Sequence, residues 1–393
     1  MNVCALVLAA GFSTRMAPRF KPLLALPLPE GERSALASVC GLYLAEGIPP
    51  LVVGGARAED TRREALALGA EFIVNSHPER GMFSSVRAGM AALPSGCDHV
   101  FVHPVDIPLV RRMTIRTLLD AAGKEESVPL IPTYKGRSGH PPLFPAAVRD
   151  AVLRSSDDGC LRDIVERSSP VSVPVADAFI LRDMDSPEDY AGLCALAPHR
   201  NVLLPEEAEE LLNLRRVLER GRRHCRVVGD VAAGFAEALN RTRTMRGETP
   251  LDPELARAGG LTHDVCKGEM QHEAAAGRLF RSFGMEEMAR LVQDHRDLTL
   301  ADDAPITERE LVFLADKYVR GSEIVPMTER FHSKMERYAG DSAAVAAIAG
   351  RMERALRLAG RLARECGRDP ESMARDAVLR SRQDCSASSR PED

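Results

Sequence analysis

The 393-residue chain has no tryptophan, and aromatic residues make up only 4% of it. Base-stacking platforms for nucleic acid need aromatic faces, so that class is disfavoured. Charge gives it no support either: 52 Lys and Arg stand against 57 Asp and Glu, a net charge of −5. The nine cysteines contain no C-x-x-C pair. Neither a disulfide framework nor a structural zinc knot is implied, and reduced thiols in a cytoplasm are expected. No apolar run approaches the roughly 20 residues of a membrane helix. The apolar start "VCALVLAA" lacks a positive n-region and runs into "GFSTR" without an export-type cleavage context. The expectation is a soluble cytoplasmic protein with no nucleic-acid or membrane partner. Both common phosphate-loop signatures, G-x-x-x-x-G-K-[ST] and G-x-G-x-x-G, are absent as well.

What is present is a normal globular balance, 45% hydrophobic and 28% charged. The length exceeds one ordinary core, so two domains are expected. In the first half, "CALVLAA", "PPLVVGG", "EFIVN", "HVFVHPV" and "SVPLIPT" are short apolar runs closed by Gly, Pro or Asn. Such runs suit strands buried on both faces. Amphipathic stretches such as Ser34–Glu46 and Ser84–Leu93 lie between them, and the alternation predicts a mostly parallel sheet with helices on both sides. From Glu206 to Gly367 nearly everything reads as helix, with no β-type run. The expected organisation is an α/β domain over residues 1–198, an all-α domain over 206–367, and a disordered tail over 380–393 that has no apolar period.

The stretch "LVLAAGFSTRMAPRFKPLLAL", residues 6–26, carries the first chemistry. A strand ending in a glycine-bearing turn before a helix can cradle an anion on its backbone amides. Ala9 and Ala10 keep the walls small enough for a flat base. Arg15 and Lys21 would sit over phosphates. The alternative is an ordinary strand-to-helix turn with surface cations.

The segment from Leu8 to Met16, with Lys21 beyond it, resembles the signature L-A-A-G-x-S-x-R-M…K of the molybdenum cofactor nucleotidyltransferases, most closely their cytidylyltransferase branch. Ala17 and Pro18 stand where that family usually has glycine, and the step to Lys21 is one residue longer. "NSHPERGMFSSVRAGMAAL", "VHPVDIPLV", "GRSGHPPLF" and "LRDMDSPEDY" extend the resemblance over residues 3–190. It implies a three-layer, Rossmann-like α/β nucleotidyltransferase fold. It implies nucleotide contacts from Leu8, Ala9, Ala10, Gly11, Asn75, Ser84 and Ser85. It implies an acceptor site at Gly139 and His140, and Mg²⁺ on Asp106 with Asp183 or Asp185. The reaction is expected to be in-line attack of a phosphorylated acceptor on the α-phosphate of CTP, with loss of pyrophosphate. Mg²⁺, Arg15 and Lys21 would offset the charge. No protein nucleophile is needed. His99 and His103 are read as structural.

In the helical half, His224, His263, Asp264, His272, His295 and Asp316 lie within a hundred residues of helical pattern. A core does not tolerate so many unpaired polar groups. Imidazole with carboxylate suits Fe, Mn, Ni or Zn. "LTHDVCKG" and "LADKYV" resemble the H…HD…D order of HD-domain metal-dependent phosphohydrolases, and His272 and His295 resemble the additional ligands of its two-metal subgroup. The resemblance covers about residues 215–325 and implies one or two transition metals, Fe or Mn first. Asp264 would bridge ions about 3.5–4 Å apart. Lys267 either steadies a phosphate or is simply solvated.

The resulting expectation is a bifunctional protein. Its front half would transfer CMP to a phosphorylated acceptor such as molybdopterin, with a molybdoenzyme as recipient of the cofactor, and its back half would be a phosphohydrolase. The alternatives are a sugar or alcohol phosphate acceptor, and an HD domain that regulates without turnover.

Overall fold

The computed structural model describes residues 1–387 apart from 126, 157, 158, 299, 300, 302 and 303. The chain divides into two compact units, with the division between Asn201 and Val202.

The first unit runs β1 (Val3–Ala9), β2 (Ala25–Leu28), β3 (Gly31–Ser34), α1 (Ala35–Leu44), β4 (Pro50–Gly54) and α2 (Ala58–Ala67). It continues with β5 (Glu71–Val74), α3 (Met82–Ala92), β6 (His99–Pro104), α4 (Arg112–Ala122), β7 (Leu130–Tyr134) and β8 (Arg137–Ser138). It closes with β9 (Leu143–Pro145), α5 (Ala146–Arg154), α6 (Leu161–Arg167), β10 (Val171–Pro174) and α7 (Pro187–Leu196). Among the described residues the main sheet has eight strands in the order β10-β7-β9-β6-β1-β4-β5, with β8 paired to β7. The pairs β6–β1, β1–β4, β4–β5 and β7–β10 are parallel. β9 runs antiparallel between β6 and β7.

Burial explains why the β-type runs are continuous. Along β1, Ala5, Val7 and Ala9 pack into one core with α1 and α4. Cys4, Leu6 and Leu8 pack into another with α3 and α5. Side chains alternate across a strand, so a strand covered on both faces has no polar phase. The result is the expected three-layer α/β unit with a mostly parallel sheet. All five expected runs are strands. β8, β9, β10 and the β2–β3 hairpin are additional: β8 has two residues, β9 has three and most of β10 is exposed, so none of these three leaves a period to read.

Two polar networks are sealed inside this unit. Asp177 is fully buried and accepts from Arg111 N at 2.9 Å, Arg111 Nη1 at 2.9 Å and Thr114 Oγ1 at 2.7 Å. The Arg111 guanidinium also lies 4.2 Å from the Phe179 ring centre. His103 is fully buried, with Nε2 2.9 Å from Ile107 O and Nδ1 2.9 Å from Tyr43 Oη. A carbonyl only accepts, so Nε2 carries the proton and Nδ1 accepts from the tyrosine.

The second unit runs α8 (Pro205–Leu214), α9 (Glu219–Arg246), α10 (Pro253–Thr262), α11 (His272–Ser282), α12 (Glu286–Val292) and α13 (Glu308–Tyr318). After these come β11 (Val319–Arg320), β12 (Glu323–Ile324), α14 (Met327–Arg337), α15 (Ser342–Cys366) and α16 (Pro370–Ala387). The β11–β12 pair is antiparallel and two residues long, too short to interrupt a helical pattern. α9 is the central element, burying Val228, Val231, Phe235 and Leu239 against α13, α15 and α16. α10 crosses it closely: a Cβ added at Gly260 would sit 2.6 Å from the Gly229 Cα. Residues 380–387, expected to be tail, form the last turns of α16. That helix is fixed upstream by buried Met373, Ala374, Ala377 and Val378. The rest of the expected tail, 388–393, lies outside the described residues.

Burial pushes the His103 pKa down to about 3. Its folded value is thus below the unfolded one, and its contribution is complete above about pH 6.5 and lost as pH falls toward 3. The variant His103→Gln should flatten the pH dependence of unfolding free energy between pH 6.5 and 4, measured by urea denaturation.

Candidate functional site

β1 pairs with β4 on one side and β6 on the other, so the strand order reverses between β1 and β6. The carboxyl ends of parallel strands at such a reversal leave a crevice. A cavity of about 300 Å³ opens there, and Leu8, Ala9, Ala10, Gly11, Lys21, Ser85 and Asp106 all line it. The loop's left-handed residue is Ser13, φ 52°, and not Gly11. The Ser13 hydroxyl accepts the Lys21 amide at 3.1 Å.

Lys21 Nζ lies 2.6 Å from Asp185 Oδ1 and 3.1 Å from Asp106 Oδ2. The exposed Arg15 reaches the other Asp185 oxygen at 3.0 Å. Burial opposes the charge on Lys21, but the hydrogen bond to Asp185 and the charge of Asp106 outweigh it and raise the pKa. The Lys21 hydrogen bond holds Asp185 below the usual carboxylate range. Asp183 shifts the other way, through burial first and then repulsion from Asp185 and Asp106. One ammonium thus holds two of the three predicted acids together. These oxygen donors suit Mg²⁺, which keeps several waters and needs few protein carboxylates.

Asn75, buried just past the end of β5, donates to Ser84 Oγ at 2.8 Å and Ser85 Oγ at 3.0 Å. This fixes the first turn of α3, and Gly81 (φ 87°) and Met82 at its start also line the cavity. Gly139 and His140 are not part of the lining. Gly139 is pressed against the chain, since a Cβ there would lie 2.5 Å from Ile180 O. The His140 ring is largely buried and its pKa lowered by desolvation, partly offset by Asp106. Gly55 was missed, although it closes the run "PPLVVGG": a Cβ there would lie 2.8 Å from Ala10 Cβ and O. It lets the β4 end approach the alanine wall.

In the second unit the six predicted residues converge. His224 comes from α9, His272 from the start of α11 and Asp316 from α13. His263 and Asp264 lie in the turn just past α10, and not on a helix. His224 Nε2 is 3.2 Å from Asp316 Oδ1, and His263 Nε2 is 3.6 Å from Asp264 Oδ2. His272 Nε2 and His295 Nε2 lie 3.5 and 3.7 Å from Asp264 Oδ1. Three rings have their other nitrogen fixed by a backbone carbonyl: Gly260 O for His263 and Val292 O for His295, both at 2.7 Å, and Gly321 O for His224 at 3.1 Å. Carbonyls near the ends of α10 and α12 have no continuing helix to bond. By accepting from Nδ1 they leave each Nε2 lone pair free at the cluster.

The donors form overlapping sets. His224, His263 and Asp316 offer ligand atoms within 4.8 Å of one another, as do His263, Asp264 and His295, and also His272, Glu273 and His295. His263 Nε2 is buried with no hydrogen-bond partner among the described residues, a costly state for an isolated nitrogen but the one a metal ligand needs. Desolvation pushes its pKa to about 3, so it is neutral. The first two sets share His263 and the last two share His295, and overlapping imidazole–carboxylate sets of this kind fit one or two divalent transition ions. Burial opposes the charge on Asp264, but the hydrogen bonds from His272 and Lys267 overcome it and hold the carboxylate ionised.

Sequence reasoning missed Glu273, Lys317 and Arg330. Glu273 is buried, with Oε1 lacking a hydrogen-bond partner among the described residues and Oε2 3.6 Å from His272 Nδ1. The chain writes it as "HE", next to a named ligand. Lys317 Nζ donates to Asp316 Oδ2 at 2.9 Å and His295 O at 2.8 Å, and Arg330 Nη2 to Asp316 Oδ1 at 2.9 Å. Lys267 pairs with Asp264, although its side chain is 57% exposed. A cavity of about 410 Å³ lies over the cluster, with Lys267, Arg296, Lys317, Arg330, Lys334 and Arg351 in its wall. Lys334 keeps an exposed surface, yet desolvation by the packing around it, then the Arg330 charge, lowers it to about 8.

Residues 5–171 match the family model of the MobA-like NTP transferase domain, and residues 221–321 match that of the HD domain. The chain therefore joins a MobA-like nucleotidyltransferase domain to an HD domain. The bifunctional enzyme IspD/IspF of Nitratidesulfovibrio vulgaris is 28% identical over 205 residues, 49% of this chain and 47% of that enzyme. This chain thus spans about half the length of that relative. The 2-phospho-L-lactate guanylyltransferase of Methanothermobacter thermautotrophicus is 29% identical over 191 residues, 48% of this chain and 82% of that protein. Among solved structures, Rv0371c of Mycobacterium tuberculosis H37Rv shares 24% identity at a TM-score of 0.44, covering 50% of this chain and 98% of its own.

Glu273 Oε2 faces His272 Nδ1 at 3.6 Å, on the side where the other three histidines meet a carbonyl. The variant Glu273→Gln should weaken retention of one metal about 10–100-fold in a chelator competition. Equal retention of all bound metal would make Glu273 a packing residue.

Proposed function

We propose that the first unit transfers CMP from CTP to a phosphorylated acceptor such as molybdopterin and releases pyrophosphate. The observation that carries this reading is Lys21, held between Asp106 and Asp185 at the mouth of the Leu8–Gly11 cavity. The base lies on the Ala9–Ala10 wall, with Asn75, Ser84 and Ser85 shaping the adjoining turn. Lys21 and Arg15 turn to the β- and γ-phosphates and neutralise the leaving pyrophosphate. Asp106 and Asp185, with Asp183 nearby, would hold Mg²⁺, which would supply charge neutralisation between the two anionic reactants. The acceptor, approaching past Gly139 and His140, attacks the α-phosphorus through a phosphate oxygen. The bond from that phosphorus to the bridging oxygen breaks, and the electron pair leaves with pyrophosphate. A molybdoenzyme would receive the finished cofactor.

The second unit hydrolyses a phosphate ester or anhydride. His224, His263 and Asp316 would hold one transition ion and His272 and His295 another, with Asp264 beside His263, His272 and His295 and Fe or Mn the best fit. Bound metal supplies Lewis acidity and an activated water. Lys267, Lys317 and Arg330 offset the charge on the phosphate.

The relatives favour a second reading. One is named for 2-phospho-L-lactate, a small phosphorylated acid, so the acceptor is then a sugar or alcohol phosphate and the HD domain a regulator.

Purified protein with Mg²⁺, CTP or GTP, and either molybdenum cofactor or a panel of sugar and alcohol phosphates separates these by pyrophosphate release. Release is expected with CTP and molybdopterin; none with any pair would remove the transferase reading. The variant Lys21→Ala should slow that release by about 10²-fold and spare phosphatase activity. The variant Asp264→Ala should abolish Mn²⁺- or Fe²⁺-dependent phosphatase activity and leave pyrophosphate release intact. Survival of both activities in Asp264→Ala protein would overturn the cluster assignment.

A further inference from the structure

α14 carries a row of like charges. Arg330, Lys334 and Arg337 are spaced four and then three residues apart, so they share one face of the helix, while Met327 and Phe331 are buried. Like charges one turn apart destabilise a helix. Arg330 is compensated by Asp316 at 2.9 Å. Lys334 and Arg337 have no carboxylate within 4 Å among the described residues. Both line the cavity over the cluster and also an adjoining cavity of about 800 Å³. Among the described residues, eight of the sixteen that line this larger cavity are Arg or Lys, and none is Asp or Glu.

Only six of the chain's 52 cationic side chains are lysines, and here the difference decides the chemistry. A guanidinium keeps its proton, whereas an ammonium crowded by other cations gives its proton up. Within this row, Lys334 is therefore the group that can relieve the repulsion. Lys21, Lys267 and Lys317 each pair with a carboxylate, and Lys124 and Lys135 stand exposed. At Lys334, desolvation by the surrounding packing and then the charge of Arg330, with Lys317 and Arg351 behind it, outweigh Asp316 and bring the pKa down to about 8. The side chain still keeps an exposed surface, so the uncharged amine is open to a reagent. A desolvated lysine beside another cation is an activated nucleophile.

We propose that Lys334 is a modification site whose amine takes the acyl group of a small acyl phosphate. The cations of the two cavities hold the reagent by its phosphate, whose oxygens suit guanidinium forks. Arg337, on the same face one turn further on, brings the carbonyl carbon joined to that phosphate within reach of the amine. The nitrogen attacks this carbon and a C–N bond forms. The bond from carbon to the phosphate oxygen breaks, the electron pair leaves with inorganic phosphate, and the proton from nitrogen passes to solvent. The amide product is uncharged. Repulsion along α14 falls, and the wall common to both cavities loses one cation. No residue of the histidine–aspartate cluster takes part, so the modification is independent of the hydrolase reading.

The full chain is incubated with acetyl phosphate and, separately, with p-nitrophenyl acetate, which carries no phosphate. Peptide mass spectrometry then gives the acetylation rate at each lysine. At about pH 7.5, an amine with a pKa of about 8 is about one quarter uncharged, against about one thousandth for an ordinary lysine. A less basic amine is also a weaker nucleophile, which returns part of that advantage. Acetyl phosphate should therefore modify Lys334 about 10-fold faster than the exposed Lys124 and Lys135. In Arg337→Gln protein, the acetyl phosphate rate at Lys334 relative to its p-nitrophenyl acetate rate, each normalised to Lys124, should fall about threefold. Equal rates at Lys334 and the two exposed lysines overturn the proposal, and so does an unchanged ratio in the variant. Hydrolysis of acetyl phosphate by the second unit lowers the reagent for every lysine alike and leaves the comparison between sites intact.

Discussion

A charge taken out of water must find an opposite charge or a set of aligned dipoles, and both units are organised around that demand. An unpartnered buried charge costs several kcal/mol, far more than most single contacts contribute. Asp177 survives at zero exposure because Arg111, Thr114 and two backbone amides surround it. Asp316 survives because Lys317, Arg330 and His224 do the same. In each candidate site the acids are in place before any ligand arrives, held by cations that a ligand can redirect. The sites are thereby oriented in advance, and less order remains to be imposed on binding.

The histidine cluster adds a second device. Helices normally end with carbonyls that have no bonding partner. α10 and α12 each give one of these, Gly260 O and Val292 O, to an imidazole three residues further on. The same local geometry closes the helix, fixes the tautomer and aims the remaining nitrogen. The histidines just beyond two helix ends are therefore better oriented than loop residues usually are.

Much of the fold was legible because strands buried on both faces have continuous apolar sequences, as β1, β4 and β6 do. β9 was not: Leu143–Pro145 is too short, and only tertiary pairing makes it a strand. The six cluster residues were named from their types and order. Their meeting point could not be read from spacing, because they come from α9, α11, α13 and two turns. Glu273, Lys317 and Arg330 went unnoticed for the same reason. A Glu or Lys beside a ligand reads as solvated surface until the neighbouring helix is known. The left-handed Ser13 also escaped notice, since the glycine two residues earlier drew the inference that a conformational turn belonged there.

The close approach of α9 to its neighbours limits more than packing. On one flank Gly229 meets Gly260 of α10, and on another Gly234 meets Ala377 of α16, where an added Cβ would come within 2.5 Å. A helix gripped at two angular positions five residues apart cannot roll about its own axis. The azimuth of His224, which α9 carries one turn upstream, is indexed to α10, the same helix that ends at His263. The two imidazoles thus keep a common angular reference, and any slippage of the bundle would have to carry both together.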